Sequence, residues 1–101
     1  MPTPPLTDAE IAARLESLPG WERDGDEITK TWRLDTYLAG LAFASAIGTL
    51  AEAQDHHPEL IIGWRRVTVR YNSHDVGGKI TARDFRAAAA IEALGYPRPH
   101  V

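Results

Sequence analysis

The sequence predicts an α+β domain in which three helices cover one face of a single four-stranded antiparallel sheet, in the order α-β-β-α-β-β-α. Three observations carry that prediction. Two helix-start signatures of the same design open near residues 7 and 81, an alanine-rich apolar stretch lies between them, and two pairs of alternating runs with turn signals fill the intervals. A chain of 101 residues supports one domain, 1–101, with no room for a second core. Residues 1–5, rich in proline, and residues 96–101 are expected to be loose.

The first helix begins at Thr7, which has capping-box spacing to Glu10, while Leu6 and Ile11 have the spacing of a hydrophobic staple. Ile11, Leu15 and Leu18 continue one apolar stripe to Pro19-Gly20, where the helix is expected to stop. Trp21-Glu22-Arg23 then meets the turn signal Asp24-Gly25-Asp26, and Ile28, Trp32 and Leu34 fall on one side of an alternating run, which predicts a hairpin with one buried face. Asp35 is placed to cap a second helix over 36–54, carrying Leu38, Leu41, Phe43, Ile47 and Leu50. Apolar residues on more than one side predict that this helix contacts more than its own sheet, and Gly40 and Gly48 leave room for a neighbouring backbone. Pro58 disfavours helical geometry in the residue before it, so the helix ends ahead of it.

Leu60, Ile61 and Ile62 begin a third strand, Gly63-Trp64-Arg65 carries a turn, and Val67, Val69 and Tyr71 alternate through a fourth. Residues 72–78 read as a loop. Thr81 caps the last helix, with Asp84 at the third position and an Ile80/Phe85 staple, and Gly95 with the prolines beyond it stops that helix near Leu94.

Composition removes several classes of function. The absence of cysteine excludes disulfides, thiolate catalysis and cysteine-ligated metal sites. A formal net charge of −3 gives no electrostatic ground for nucleic-acid binding. The densest basic run, residues 65–70, lies in a strand, where alternation is expected to spread its charges over two solvated faces. No window approaches 18 apolar residues, so no membrane helix is predicted, and the opening residues have neither a basic nor an apolar leader segment. A cytoplasmic protein is expected.

Chemistry concentrates in the four histidines. His56 and His57 stand together where the second helix must end, with Pro58 stiffening the exit, and His74 occupies the loop after the fourth strand. Two readings of the pair are open: a polar helix end, or proton carriers at the rim of a pocket. Histidine suits the second role because its ordinary pKa of ~6.5 lies near neutrality. His100, in the tail, is read as uninvolved. Asp84 caps the last helix whatever the function, Glu52 reads equally as solvated helix surface, and Trp64 as core. Adjacent histidines have diverging rings and no His-x-x-x-His or His-x-His pair occurs, so no metal site is predicted. Ser73 beside His74 is not a catalytic triad, and neither a phosphate loop nor a dinucleotide fingerprint is present.

The spacing of these residues carries a resemblance. Three residues separate Glu52 from His56-His57-Pro58, five separate Pro58 from Trp64, nine lie between Trp64 and His74, and nine between His74 and Asp84. This pattern resembles the signature of the pterin-4a-carbinolamine dehydratase family, also known as the dimerisation cofactor of hepatocyte nuclear factor, and the element order is similar to the family fold over nearly the whole chain. The resemblance implies a dehydratase without cofactor that converts 4a-hydroxytetrahydropterin, the product of an aromatic amino acid hydroxylase, to quinonoid dihydropterin and water. It implies His56 and His74 as the acid/base pair, His57 holding the pterin and Asp84 completing the site. Pro58, Trp64 and Glu52 join the substrate-binding set, with core support as the other reading of Trp64. Homodimers or homotetramers are implied, as is a second role as a dimerisation module for a transcription regulator. The intact set of three histidines favours the enzyme, because a pure interaction module has no need of that spacing.

Overall fold

The computed structural model describes residues 3–98, so the expectation for His100 lies outside the described residues. Helix α1, Asp8–Leu15, opens as its sequence predicts: Glu10 N–H donates to Thr7 Oγ1 at 3.2 Å and Thr7 N–H to Glu10 Oε1 at 2.9 Å. It closes at Leu15, a turn before Pro19-Gly20. Leu18 still reaches the core because Ser17 N–H bonds to Arg14 O and Leu18 N–H to Leu15 O, and such tight turns keep residues three apart on one side.

Strands β1, Glu22–Asp24, and β2, Glu27–Arg33, form the first hairpin, and β3, Glu59–Gly63, and β4, Arg66–Tyr71, the second. The two hairpins join into one antiparallel sheet of order β1-β2-β4-β3, with Ile28 opposite Tyr71 and Trp32 opposite Val67. Period-two alternation puts Ile28, Trp32, Val67, Val69 and Tyr71 on the inner face, and all five are buried. Arg66, Thr68 and Arg70 consequently share the outer face and Arg65 occupies the turn. This corrects the expectation that the basic run divides over two faces: its arginines within the strand stand four residues apart, an even spacing. Arg70 meets Asp24 and Glu27 there, and Thr31 and Thr68 join hydroxyls at 2.8 Å.

Helix α2, Tyr37–Gln54, is capped by Thr36 and not by Asp35: Ala39 N–H donates to Thr36 Oγ1 at 3.0 Å. A capping side chain reaches the amide two or three residues on, and the helix starts one residue too late for Asp35. Phe43, Ala44, Ile47 and Ala51 face inward, and with Phe85, Ala88 and Ile91 of helix α3, Ala82–Glu92, they complete one core on the sheet. No neighbouring backbone of the described chain approaches either α2 glycine. A Cβ at Gly40 would meet a Val67 methyl at an ordinary 3.6 Å, and one at Gly48 would meet nothing. The outward side of α2 leaves Tyr37, Leu38 and Leu41 exposed. At the chain ends, Pro5 bridges Thr81 and Tyr96 packs edge-on against Phe43 at 5.8 Å.

Candidate active site

The end of α2 builds the first half of the site. Asp55 takes the left-handed conformation (φ 51°, ψ 43°), its N–H bonds to Glu52 O, and His56 N–H bonds back to Ala51 O at 3.1 Å. This is the double closure of a Schellman motif, with aspartate in the position glycine usually holds. The chain therefore reverses sharply, and His56 turns inward against the sheet while His57 stays outside.

His56 Nε2 lies 2.5 Å from Asp84 Oδ1, and the ring stacks on Tyr71, 5.4 Å between centroids and 5° from parallel. Asp84 has no exposed surface. Its Oδ2 accepts from Thr81 N–H at 2.9 Å and from Ser73 Oγ at 3.1 Å, and Ser73 and Thr81 join hydroxyls at 2.8 Å. One carboxylate thus closes the N-terminus of α3, ties the end of β4 to it and holds a histidine. Burial, and then the nearby negative charge of Asp84, push the Tyr71 phenol up to about 12, so this ring stays neutral wherever histidine titrates.

His57 pairs on the outside with Glu52, Nε2 to Oε1 at 2.5 Å, both side chains more than half exposed. His74 opens a short 3-10 turn, His74–Val76, rooted at buried Ser73, whose N–H bonds to Lys79 O and whose carbonyl accepts from Val76 and Gly78. Gly77 and Gly78 both take positive φ (66° and 73°), which turns the chain back toward α3 within two residues. Asp75, next in the turn, meets Arg83 of α3, Nη2 to Oδ1 at 2.7 Å.

A cavity of about 340 Å³ brings together His56, His57 and His74 with Asp75 and Arg83, and Asp55 and Asn72 complete its rim. Among the expected site residues, Asp84 supports this cavity from behind and Glu52 reaches it through His57. Pro58 only carries the chain from His57 into β3. Trp64 is not brought to the cavity. It is 71 % exposed at the β3–β4 turn, with the Arg65 guanidinium 5.0 Å over its ring, so it belongs neither to the core nor to a wall of this pocket. Five strand residues at ~3.3 Å each place it roughly 16 Å away.

Arg83 and Asp75 were not singled out by sequence, and Ser73 was weighed only as a nucleophile. Their flanking positions beside Asp84 and His74 were visible, but which way they turn was not. A larger cavity, about 690 Å³, lies at the opposite end of the sheet between Trp32 and Tyr96. Among the described residues it contains no histidine, and its carboxylate, Glu92, is already engaged by Trp21 Nε1 and Lys30. Among the described residues no group of three or more histidine, aspartate or glutamate side chains could hold a metal ion, and no helix is long and apolar enough to cross a membrane.

Fold and site define an α+β domain with three histidines around one pocket at the end of its sheet. The family model described as pterin 4 alpha carbinolamine dehydratase matches residues 4–94, and the chain belongs to that family. Several relatives bear the name "putative pterin-4-alpha-carbinolamine dehydratase", two of them from the organisms that follow. The one from Natronomonas pharaonis is 52% identical over 89 residues, 88% of this chain and 94% of that protein. The one from Roseiflexus castenholzii is 46% identical over 88% of this chain and 95% of that protein. Among solved structures, a transcriptional coactivator/pterin dehydratase from Brucella melitensis superposes with a TM-score of 0.82 at 27% identity, over 89% of this chain and 97% of that one.

Proposed function

We propose that this protein dehydrates 4a-hydroxytetrahydropterin to quinonoid dihydropterin, with His56 and His74 as the acid/base pair. In that reaction the C4a–O bond breaks, the hydroxyl takes a proton and leaves as water, and the adjacent ring nitrogen loses a proton as its electron pair forms the new C=N bond. One group must give a proton and another must take one. The observation that carries the reading is that two histidines from separate chain segments face one cavity, one of them fixed by a buried carboxylate. With Nε2 committed to Asp84, Nδ1 of His56 is the nitrogen left to exchange protons with a bound pterin. His57, tethered to Glu52 at the rim, holds the substrate, and Asp84 completes the site from behind.

Purified protein should accelerate the loss of 4a-hydroxytetrahydropterin absorbance above the spontaneous rate, and should do so equally after exhaustive chelation. A stoichiometric metal whose removal abolishes turnover would rule out this mechanism.

The same reading places the protein in the cytoplasm, recycling the pterin of an aromatic amino acid hydroxylase, and working as a homodimer or homotetramer. Support for assembly comes from the exposed Tyr37, Leu38 and Leu41 on α2 and from Ile61 and Ile62 on edge strand β3, since unpaired edges and clustered apolar side chains call for cover. Light scattering at micromolar concentration should return at least twice the chain mass. A monomer alone would count against assembly. The exposed α2 face also favours a second reading, a dimerisation module for a transcription regulator, which predicts partner binding undisturbed by histidine replacement.

A further inference from the structure

Arg83 and Asp84 are consecutive residues in the first turn of α3, and their side chains reach different segments of the chain. Asp84 holds His56 at the end of α2. Arg83 reaches Asp75, the neighbour of His74 in the 3-10 turn. Whereas His56 bonds to Asp84 and His57 to Glu52, the ring of His74 makes no hydrogen bond of its own among the described residues. Its position therefore depends on the turn that carries it. The backbone bonds of that turn close on Ser73 at its root and, through Lys79 N–H to Val76 O at 3.3 Å, at its far end. Within His74–Val76 the Asp75–Arg83 contact is the one side-chain hydrogen bond to the rest of the fold among the described residues. Arg83 Nε is buried without a hydrogen-bond partner among the described residues, which costs free energy, while the two side chains of the ion pair stay partly exposed, 26 % and 60 %. The Arg83 guanidinium holds the Asp75 carboxyl below the usual carboxylate range, with a smaller contribution from His56.

We propose that Arg83 is a positioning residue for His74: through Asp75 it clamps the 3-10 turn, so that the capped first turn of α3 sets the placement of both His56 and His74 around the cavity. The clamp rests on the dehydratase reading of those two histidines. An exposed ion pair contributes only about 0–1 kcal/mol to stability. A misplacement of ~1 Å in a group that must meet substrate can lower a rate by ~10²-fold. The clamp should therefore be conspicuous in kinetics and nearly silent in unfolding.

The test assays 4a-hydroxytetrahydropterin dehydration by Arg83→Gln, Asp75→Asn, their double variant, His74→Ala, and His74→Ala combined with Arg83→Gln. Each clamp variant is expected to lose ~10–100-fold in kcat with KM changed less than ~3-fold, and the double variant no more than either single one. Tm should stay within ~5 °C of wild type. Arg83→Lys should recover part of the loss, since it restores the charge without the planar fork. In the His74→Ala background Arg83→Gln should cause no further loss, because its only route to the chemistry is gone. Wild-type turnover in both single clamp variants overturns the proposal, and so does a loss from Arg83→Gln that persists undiminished without His74. If His74→Ala itself turns over at the wild-type rate, the acid/base role of His74 fails and the clamp with it, whereas absence of dehydration by the unaltered protein removes the dehydratase reading. A slow His74→Ala beside a wild-type Arg83→Gln sinks the clamp alone. Should Arg83→Gln fail to fold, Asp75→Asn on the exposed turn carries the same comparison.

Discussion

Replacing His56 or His74 with alanine should lower the turnover of 4a-hydroxytetrahydropterin by ~10²–10⁴, the usual contribution of a positioned general acid or base. That range corresponds to about 2.7–5.5 kcal/mol of barrier. The observed loss will be compressed from below, because the dehydration also proceeds without enzyme. Removing both histidines should cost little more than the worse single change, since groups that share one relay are not additive. His57→Ala should act mainly on KM, as expected of a group that binds substrate and transition state alike. Stability separates the variants in a way that sequence alone does not suggest. His74 is exposed and makes no hydrogen bond among the described residues, so His74→Ala should keep wild-type Tm. The His56 side chain is only 11 % exposed, stacked on Tyr71 and bonded to Asp84. His56→Ala should therefore also destabilise the fold by ~1–3 kcal/mol, the penalty for a buried partner left unpaired. Full turnover in both His56→Ala and His74→Ala would return the histidine pair to the role of a polar helix end.

Asp84→Ala should be the most damaging single change to both fold and activity, with a stability loss of ~3 kcal/mol or more, because each buried partner left unsatisfied costs about 1–3 kcal/mol. The size follows from how many groups depend on this carboxylate. Thr81 N–H and Ser73 Oγ would lose their acceptor, His56 Nε2 would lose its anchor, and α3 would lose half of its capping box. Turnover should fall at least as far as in His56→Ala, because the same ring is set free. Asp84→Asn separates charge from support. Its oxygen can still accept from Thr81 and Ser73, but its amide presents a donor to His56, so the variant should remain folded and turn over slowly. Urea unfolding together with the dehydration assay checks both halves. An Asp84→Ala protein with wild-type stability would remove Asp84 from the centre of this network.

Local chemistry made much of this legible. Both capping boxes lie within four residues, so Thr7/Glu10 and Thr81/Asp84 could be read directly and stand as read. Pro58 placed the end of α2 to within a few residues, and period-two alternation placed Ile28, Val67, Val69 and Tyr71 in the core. The family was carried by the spacing of Glu52, His56, His57, Pro58, Trp64, His74 and Asp84. Each of these signals acts over a few residues or repeats with a short period.

Other features depend on distances through space. The cap of α2 passed from Asp35 to Thr36 because packing set where the helix begins, and either side chain is chemically able to cap. Trp64 joined the binding set by resemblance and the core by its apolar area, yet the two-residue turn between β3 and β4 leaves it outside both. The outer placement of Arg66 and Arg70 was fixed by strand register. Most of the site belongs to this second kind. His56 and Asp84 are 28 residues apart and Asp75 and Arg83 are 8 apart, and nothing in either interval states that they touch. The sequence by itself determined which proton-carrying groups this protein has and where its first and last helices begin. Only the tertiary structure decided that Asp84 and Arg83, side by side on one helical turn, hold the two histidine segments around a common cavity. The reason is physical: caps and alternation are short-range properties of the chain, whereas the meeting of two segments depends on the register of the whole sheet and the packing of α3 against it.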